Sequence, residues 1–200
     1  MQRPTLHVIA GPNGAGKTTF HELQLSRLTG AEFVNADRLA EARFGHPAAT
    51  EAESRHGQDA AEARRAALME RRASLVVETT FSHPSKLDLV RRARALGYRV
   101  VVYHLSVRDP ELSVARVAFR TRHGGHPVPE DRIRARYARN GALIRQAVLE
   151  ADHGYVFDTS LRGRPPVLLA TFRTGRGRRA AAEAPAWFEA LYGPDLGGDP

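Results

Sequence analysis

The stretch IAGPNGAGKTTF, residues Ile9 to Phe20, decides the fold. Gly11, Gly16, Lys17 and Thr18 fit the pattern G-x-x-x-x-G-K-[ST] without a mismatch. Glycines at that spacing let the backbone curl until several N–H groups face one anion, and a helix starting at Gly16 adds its positive end. Lys17 then neutralises the β- and γ-phosphates of a nucleoside triphosphate, and the Thr18 hydroxyl ligates Mg²⁺. The loop from Gly11 through Pro12, Asn13, Gly14, Ala15 and Gly16 to Lys17, Thr18 and Thr19 is the cradle.

The flanks supply the context this reading needs. TLHVIA, Thr5 to Ala10, is a short apolar run and predicts a buried strand. KTTFHELQLSRL predicts a helix with Phe20, Leu23 and Leu28 near one face. Further strands are expected at EFVNAD, SLVVET, YRVVVYHLSV, GYVFDT and PVLLATFR, the last of the chain. Helices are expected from about Arg38, over 48–73 with an interruption at Gly57, over 83–97, over 109–123 and over 130–151. Asp109 reads as an N-cap with Pro110 at the first helical position. RTGRGRRAAAEAP reads as a flexible basic connector before a short helix, AWFEALYG. Strands alternating with helices predict an α/β fold with a mainly parallel sheet covered on both faces.

Composition narrows the chemistry. Two hundred residues with 42% hydrophobic content predict one domain with a real core. No run approaches the roughly 18 apolar residues that span a bilayer, and MQRPTLHVIAGP lacks signal-peptide features, so the reading is cytoplasmic, with no membrane partner. With no cysteine, disulfides, thiolate nucleophiles and cysteine zinc sites are excluded. A net charge of +8, almost all of the positive part arginine, suits anionic ligands.

The acceptor of the terminal phosphate is chosen by what else is present. There is no LSGGQ-like signature and no guanine-reading N-K-x-D. A small-molecule kinase needs a carboxylate beside the acceptor hydroxyl and arginines that close over the transferring group. Asp37 follows the second strand and should stand at the carboxyl edge of the sheet, where parallel sheets bind ligands; it is either the catalytic base or a helix cap. Asn35 reads as a turn residue. Glu78 closes the buried strand SLVVE and should face the cleft, toward substrate hydroxyls or a Mg²⁺-bound water, or else pair with an arginine. RVAFRTRHGGHPVPEDRIRARYARN predicts a helical lid over about 116–136 with a Gly-Gly hinge. On helical spacing Arg120 and Arg136 are the phosphate-facing candidates, Arg122 is in reserve, Arg134 is turned away, and the remaining arginines are solvated. His126, beside the hinge, is a candidate substrate contact.

Taken in order, GPNGAGKTT, NAD, ETTFSH, GYRVVVYHLSV, RTRHGGHPVPEDRIRARY and VFDTS resemble the zeta-toxin family of P-loop kinases over about residues 5 to 173, and most of all its short chromosomal members. The resemblance implies a three-layer P-loop NTPase fold with five strands in the order 2-3-1-4-5, helices on both faces and a helical lid. That kinase domain would span 1–175, with 176–200 as connector and terminal helix. It implies ATP and Mg²⁺ as cofactors, transfer to a sugar hydroxyl of UDP-N-acetylglucosamine or a related compound, and a small helical antitoxin as partner. By motif, Lys17 and Thr18 match the ATP and Mg²⁺ residues, Asp37 the catalytic base, Glu78 and Thr80 substrate-site positions, and Arg120 and Arg136 the phosphate-binding arginines. Two alternatives are a polynucleotide 5′-hydroxyl kinase and a nucleotide-dependent binding switch. The first needs a basic groove with aromatic residues for base stacking; no aromatic–basic interleaving runs along the sequence, which makes nucleic acid an unlikely partner.

Overall fold

The computed structural model describes residues 3–125 and 127–196. Its strands are β1 (Thr5–Ala10), β2 (Glu32–Val34), β3 (Leu75–Thr79), β4 (Arg99–Ser106), β5 (His153–Asp158), β6 (Val167–Arg173) and β7 (Arg176–Arg179). They form one sheet in the order β2-β3-β1-β4-β5-β6-β7. The first five are parallel, and β6 and β7 add on antiparallel. The implied 2-3-1-4-5 order is therefore the parallel part of a sheet two strands wider than five. The stretch expected to be a flexible connector supplies the extra edge. Thr174 and Gly175 both take left-handed backbone, φ 48° and 81°, and close a two-residue hairpin that puts Arg176 opposite Arg173.

The helices are α1 (Lys17–Phe20), a π-helical turn (His21–Leu25), α2 (Ser26–Thr29), α3 (Ala36–Phe44), α4 (Glu51–Glu70), α5 (Ser85–Ala95), α6 (Pro110–Arg122), α7 (Glu130–Glu150) and α8 (Ala186–Tyr192). The π turn corrects one expectation. Its wider winding slips the helical phase, so Phe20 and Leu25 are buried at 4% exposure while Leu23 and Leu28 stand out at 72% and 80%. Gly57 does not interrupt α4. It lies at the crossing of α3 and α4, where a Cβ would fall 2.4 Å from the Ala36 carbonyl oxygen. Asp109 caps α6 as expected, accepting from Leu112 N at 2.7 Å.

Buried side chains of α4, α5, α7 and α8 meet one sheet face, around Leu6, Val8, Val100, Val102 and Val156. Phe188 and Tyr192 of α8 belong to that core at 0% exposure. Phe20 and Leu25, from the run after the phosphate loop, cover part of the other face against Ile9, Val76 and Leu105. A third small cluster, Val114, Val117 and Ile133 with Val128, joins α6 to α7. Because α7 also places Ile144, Ala147 and Val148 in the main core, one continuous helix ties this hairpin to the sheet.

Inside the main core His104 is 1% exposed, with its Nδ1 2.7 Å from the Tyr192 hydroxyl. Burial lowers its pKa to about 3, from an ordinary value of 6.5. Below pH 6.5 the unfolded chain binds a proton that the folded chain refuses, so stability falls as pH falls toward 3. The slope is about 1.4 kcal/mol per pH unit, or roughly 2 kcal/mol between pH 6.5 and 5. Urea unfolding of wild type and His104→Phe at both pH values checks this: the variant should lose less stability between them. Equal losses would place the acid sensitivity elsewhere.

Candidate phosphate-transfer site

The phosphate loop follows β1 and leads into α1 at the carboxyl edge of the parallel strands. Gly11 is there because of a close approach: a Cβ would sit 2.0 Å from the Leu105 carbonyl oxygen on β4. Gly16 is there for its backbone, φ 76°, as the left-handed residue that starts α1. Pro12 and Ala15 are buried, and Thr19 is exposed in the first turn of α1. The carbonyl of Pro12 accepts from Lys17 Nζ at 3.0 Å. That of Ala15 accepts from the Thr159 hydroxyl at 3.1 Å.

Lys17, Thr18 and Glu78 form one network. Thr18 Oγ1 donates to Glu78 Oε2 at 2.8 Å, and Lys17 Nζ lies 3.9 Å from Glu78 Oε1. Asn35 Nδ2 donates to the same Oε2 at 2.9 Å. Lys17 is buried, which lowers its pKa; Glu78 and Asp37 pull it back up, while Arg120 and Arg136 push it down. Four charged side chains from four elements thus act on one ammonium group.

Asp37 lies on this same edge, exposed in the first turn of α3. It does not cap the helix. Asn35 does, accepting from Arg38 N at 3.0 Å, so α3 begins at Ala36 rather than at Arg38. Asn35 is therefore a cap and a brace for Glu78, not a turn residue. Its position one residue before an Ala-Asp helix start was a readable N-cap signal.

The lid arginines divide. Arg136 is half-buried; its Nη1 donates to Asn13 Oδ1 at 3.4 Å, and its pKa is lowered first by burial, then by Arg132 and Arg139, with Asp37 opposing. Arg120 packs against Gly125, where a Cβ would fall 2.5 Å from Arg120 Cγ, and its charge reaches Lys17. Arg134 turns away as expected, held by Glu111 at 2.8 Å and Glu130 at 3.0 Å. Arg132 pairs with Glu51 of α4, and Arg122 is exposed. Arg116, expected to be solvated, is instead structural. Its guanidinium donates to the carbonyls of Gly14, Thr159 and Ser160 at 3.2, 2.7 and 3.0 Å, tying the phosphate loop to the end of β5. Its spacing of four from Arg120 was visible in the sequence; the three carbonyls were not. Thr80 stands beside the network rather than in it, its Oγ1 3.3 Å from Ser82 Oγ and its carbonyl accepting from Asn140 at 3.2 Å. His126 lies outside the described residues.

A phosphate loop at the carboxyl edge of a 2-3-1-4-5 parallel sheet, roofed by an arginine-bearing helical hairpin, defines a P-loop protein of kinase-like fold. The chain belongs to the zeta toxin family, whose model matches residues 1–160. No curated protein matches it. Among solved structures it is similar to a chain of the AvrRxo1-ORF1:AvrRxo1-ORF2 complex with sulphate ions, at TM-score 0.72 and 19% identity, covering 99% of this chain and 66% of that one. It therefore spans slightly less than two thirds of that relative. A second likeness is to the PezAT chromosomal toxin–antitoxin system of Streptococcus pneumoniae, at TM-score 0.61 and 18% identity over 84% of this chain and 72% of that one. A third is to the Pnkp1/Rnl/Hen1 RNA repair complex, at TM-score 0.59 and 20% identity over 73% and 47%. No helix among the described residues is long and apolar enough to cross a membrane.

Proposed function

We propose that this chain is an ATP-dependent phosphotransferase that delivers the γ-phosphate to a hydroxyl of a small acceptor, a UDP-N-acetylglucosamine-like nucleotide sugar or a related metabolite. The observation that carries the reading is that Asp37, exposed in the first turn of α3, stands on the same carboxyl edge of the sheet as Lys17 of the phosphate loop, with Arg136 of the lid 3.4 Å from Asn13 of that loop. In this reading Asp37 takes the acceptor hydroxyl proton as the oxygen bonds to the γ-phosphorus, and the bond from that phosphorus to the β-bridging oxygen breaks, releasing ADP. Lys17, Arg120 and Arg136 stabilise the charge on the transferring group. Loop residues Gly11 to Thr19 hold the phosphates through backbone N–H groups.

Thr18 Oγ1 is the hard oxygen donor that suits Mg²⁺, which is held by few protein ligands plus phosphate and water, and the Glu78 carboxylate 2.8 Å from it would meet a water on the ion. Bound there, the ion would supply charge neutralisation across the phosphates. Glu78, Thr80 and His126 are proposed to contact the acceptor. By analogy with the toxin–antitoxin neighbour, a small helical antitoxin is the proposed protein partner, and the cytoplasm the place of action.

Incubation with γ-labelled ATP, Mg²⁺ and a panel of UDP-sugars, amino sugars and nucleosides tests the reading. A labelled small molecule whose formation disappears in Asp37→Asn supports it; label released only as inorganic phosphate under every condition counts against it. Arg120→Ala and Arg136→Ala should each lower kcat by about 10–10³-fold with a smaller change in ATP affinity. Equal losses in affinity and turnover would make them ground-state contacts.

A further inference from the structure

Arg99, Arg173, Arg176 and Arg178 make no side-chain hydrogen bond or ion pair among the described residues, all four are exposed, and what sets them apart from the other unpaired arginines is that strand pairing gathers them. Strand register puts them on one sheet face. His153 of β5 faces Val101 of β4 and Arg173 of β6, and Arg173 faces Arg176 of β7. In the next row Tyr103, Tyr155, Thr171 and Arg178 stand side by side. Arg99 begins β4 on the same face.

This face is the one turned away from α4, α5, α7 and α8. The contrast between the two sides is large: Val100, Val102 and Val156 are 0% exposed on the covered side, whereas Tyr103, His153, Tyr155 and Thr171 are half-buried on the other. The helical run after the phosphate loop reaches only part of it, where Phe20 meets Tyr103 and Phe157 with centroids 5.6 and 5.2 Å apart. Over β5, β6 and β7 the outward positions carry no carboxylate: the aromatic and basic ones are His153, Tyr155, Phe157, Arg173, Arg176 and Arg178, with Leu168 and Thr171 between them.

The aromatic rings stand stacked along the sheet. His7 lies 6.0 Å from Tyr103, and Tyr103 lies 5.4 Å from Tyr155 at an interplanar angle of 13°. Tyr155 has one ring face on Tyr103. Its other face looks along the row toward β6, where the neighbour is the small Thr171 and, one strand further, Arg178. Strands two apart are about 9.6 Å apart, which leaves room above the small Thr171 for a planar group lying against the open face of Tyr155.

We propose that this face binds single-stranded nucleic acid, with a base stacked on Tyr155 above Thr171 and the backbone phosphates neutralised by Arg173, Arg176 and Arg178. Stacking platforms beside unpaired cations are how sheet surfaces hold single strands with little sequence preference. Charge decides against an apolar helix as occupant, because such a helix would leave the arginines unmatched. The arginine row is at the amino-terminal edge of the parallel strands, opposite the phosphate loop, so this surface is separate from the transfer site and independent of its proposed role.

Fluorescence anisotropy with labelled 12-nucleotide oligo-U and oligo-dT, from 50 to 200 mM salt, tests the assignment. Binding should weaken with salt at a log–log slope of about −2, as about three neutralised phosphates require, and saturating Mg-ADP should not change it. Tyr155→Ala should weaken binding at least fivefold with the slope unchanged, while Tyr155→Phe, which keeps the ring and the fold, stays near wild type. Thr171→Trp should weaken binding by filling the slot. Arg176→Gln with Arg178→Gln should make the slope shallower by about 1.4. The proposal is overturned by no binding at 50 mM salt with 100 μM protein, by Tyr155→Ala and Thr171→Trp binding like wild type, or by polyglutamate competing as well as unlabelled oligonucleotide. That last outcome would assign the face to an acidic protein segment.

Discussion

Asp37→Asn should lower phosphate transfer by about 10²–10⁴-fold while leaving ATP affinity within about twofold. The substitution keeps the shape and a hydrogen-bonding carbonyl but removes the group that accepts a proton. It should cost little stability, because Asp37 is exposed and the cap of α3 is Asn35. That separation makes the variant informative. Had Asp37 been the cap, lost activity could follow from a frayed helix; with Asn35 holding Arg38 N, a loss of transfer without a change in the unfolding midpoint points to chemistry. ATP affinity by calorimetry and single-turnover transfer, measured on the same preparation, give the two numbers. Retained transfer with a lower midpoint would return Asp37 to a structural role.

Lys17→Ala should abolish measurable transfer, a loss of about 10³-fold or more, and weaken nucleotide binding as well. The side chain is 7% exposed and reaches both the Pro12 carbonyl and Glu78, so its positive charge is already fixed in place before any phosphate arrives. Its removal leaves Glu78 facing the incoming triphosphate without that nearby cation, so repulsion adds to the lost attraction. Turnover against ATP concentration should show both a lower kcat and a higher KM. Unchanged turnover would mean that the loop does not hold the transferring phosphate.

The parts of this molecule legible in the sequence are those written in local pattern. The glycine spacing of the phosphate loop, the apolar runs of β1, β3 and β4, and the Asp-Pro start of α6 each carry their own signal within a few residues. What escaped depends on contacts between distant segments. Arg116 looks like any helix arginine until three carbonyls from the phosphate loop and the β5 end converge on it. Gly57 reads as a helix breaker because the close pass of α3 lies about twenty residues away in sequence. Leu23 and Leu28 fit a 3.6-residue period, and one π turn sends them to solvent. Arg99 and Tyr103 share β4, but the other aromatic and basic residues of the open sheet face come together only through strand pairing, from β4, β5 and the β6–β7 hairpin.

The geometry of transfer itself is open to one decisive determination: a crystal structure with a non-transferable ATP analogue, Mg²⁺ and the acceptor found by labelling. An Asp37 carboxylate oxygen should lie about 2.6–3.2 Å from the acceptor hydroxyl, with that oxygen in line with the γ-phosphorus at about 3–3.5 Å. An Asp37 turned to bulk solvent, or a gap above the γ-phosphate filled by packed side chains, would refute the transfer reaction.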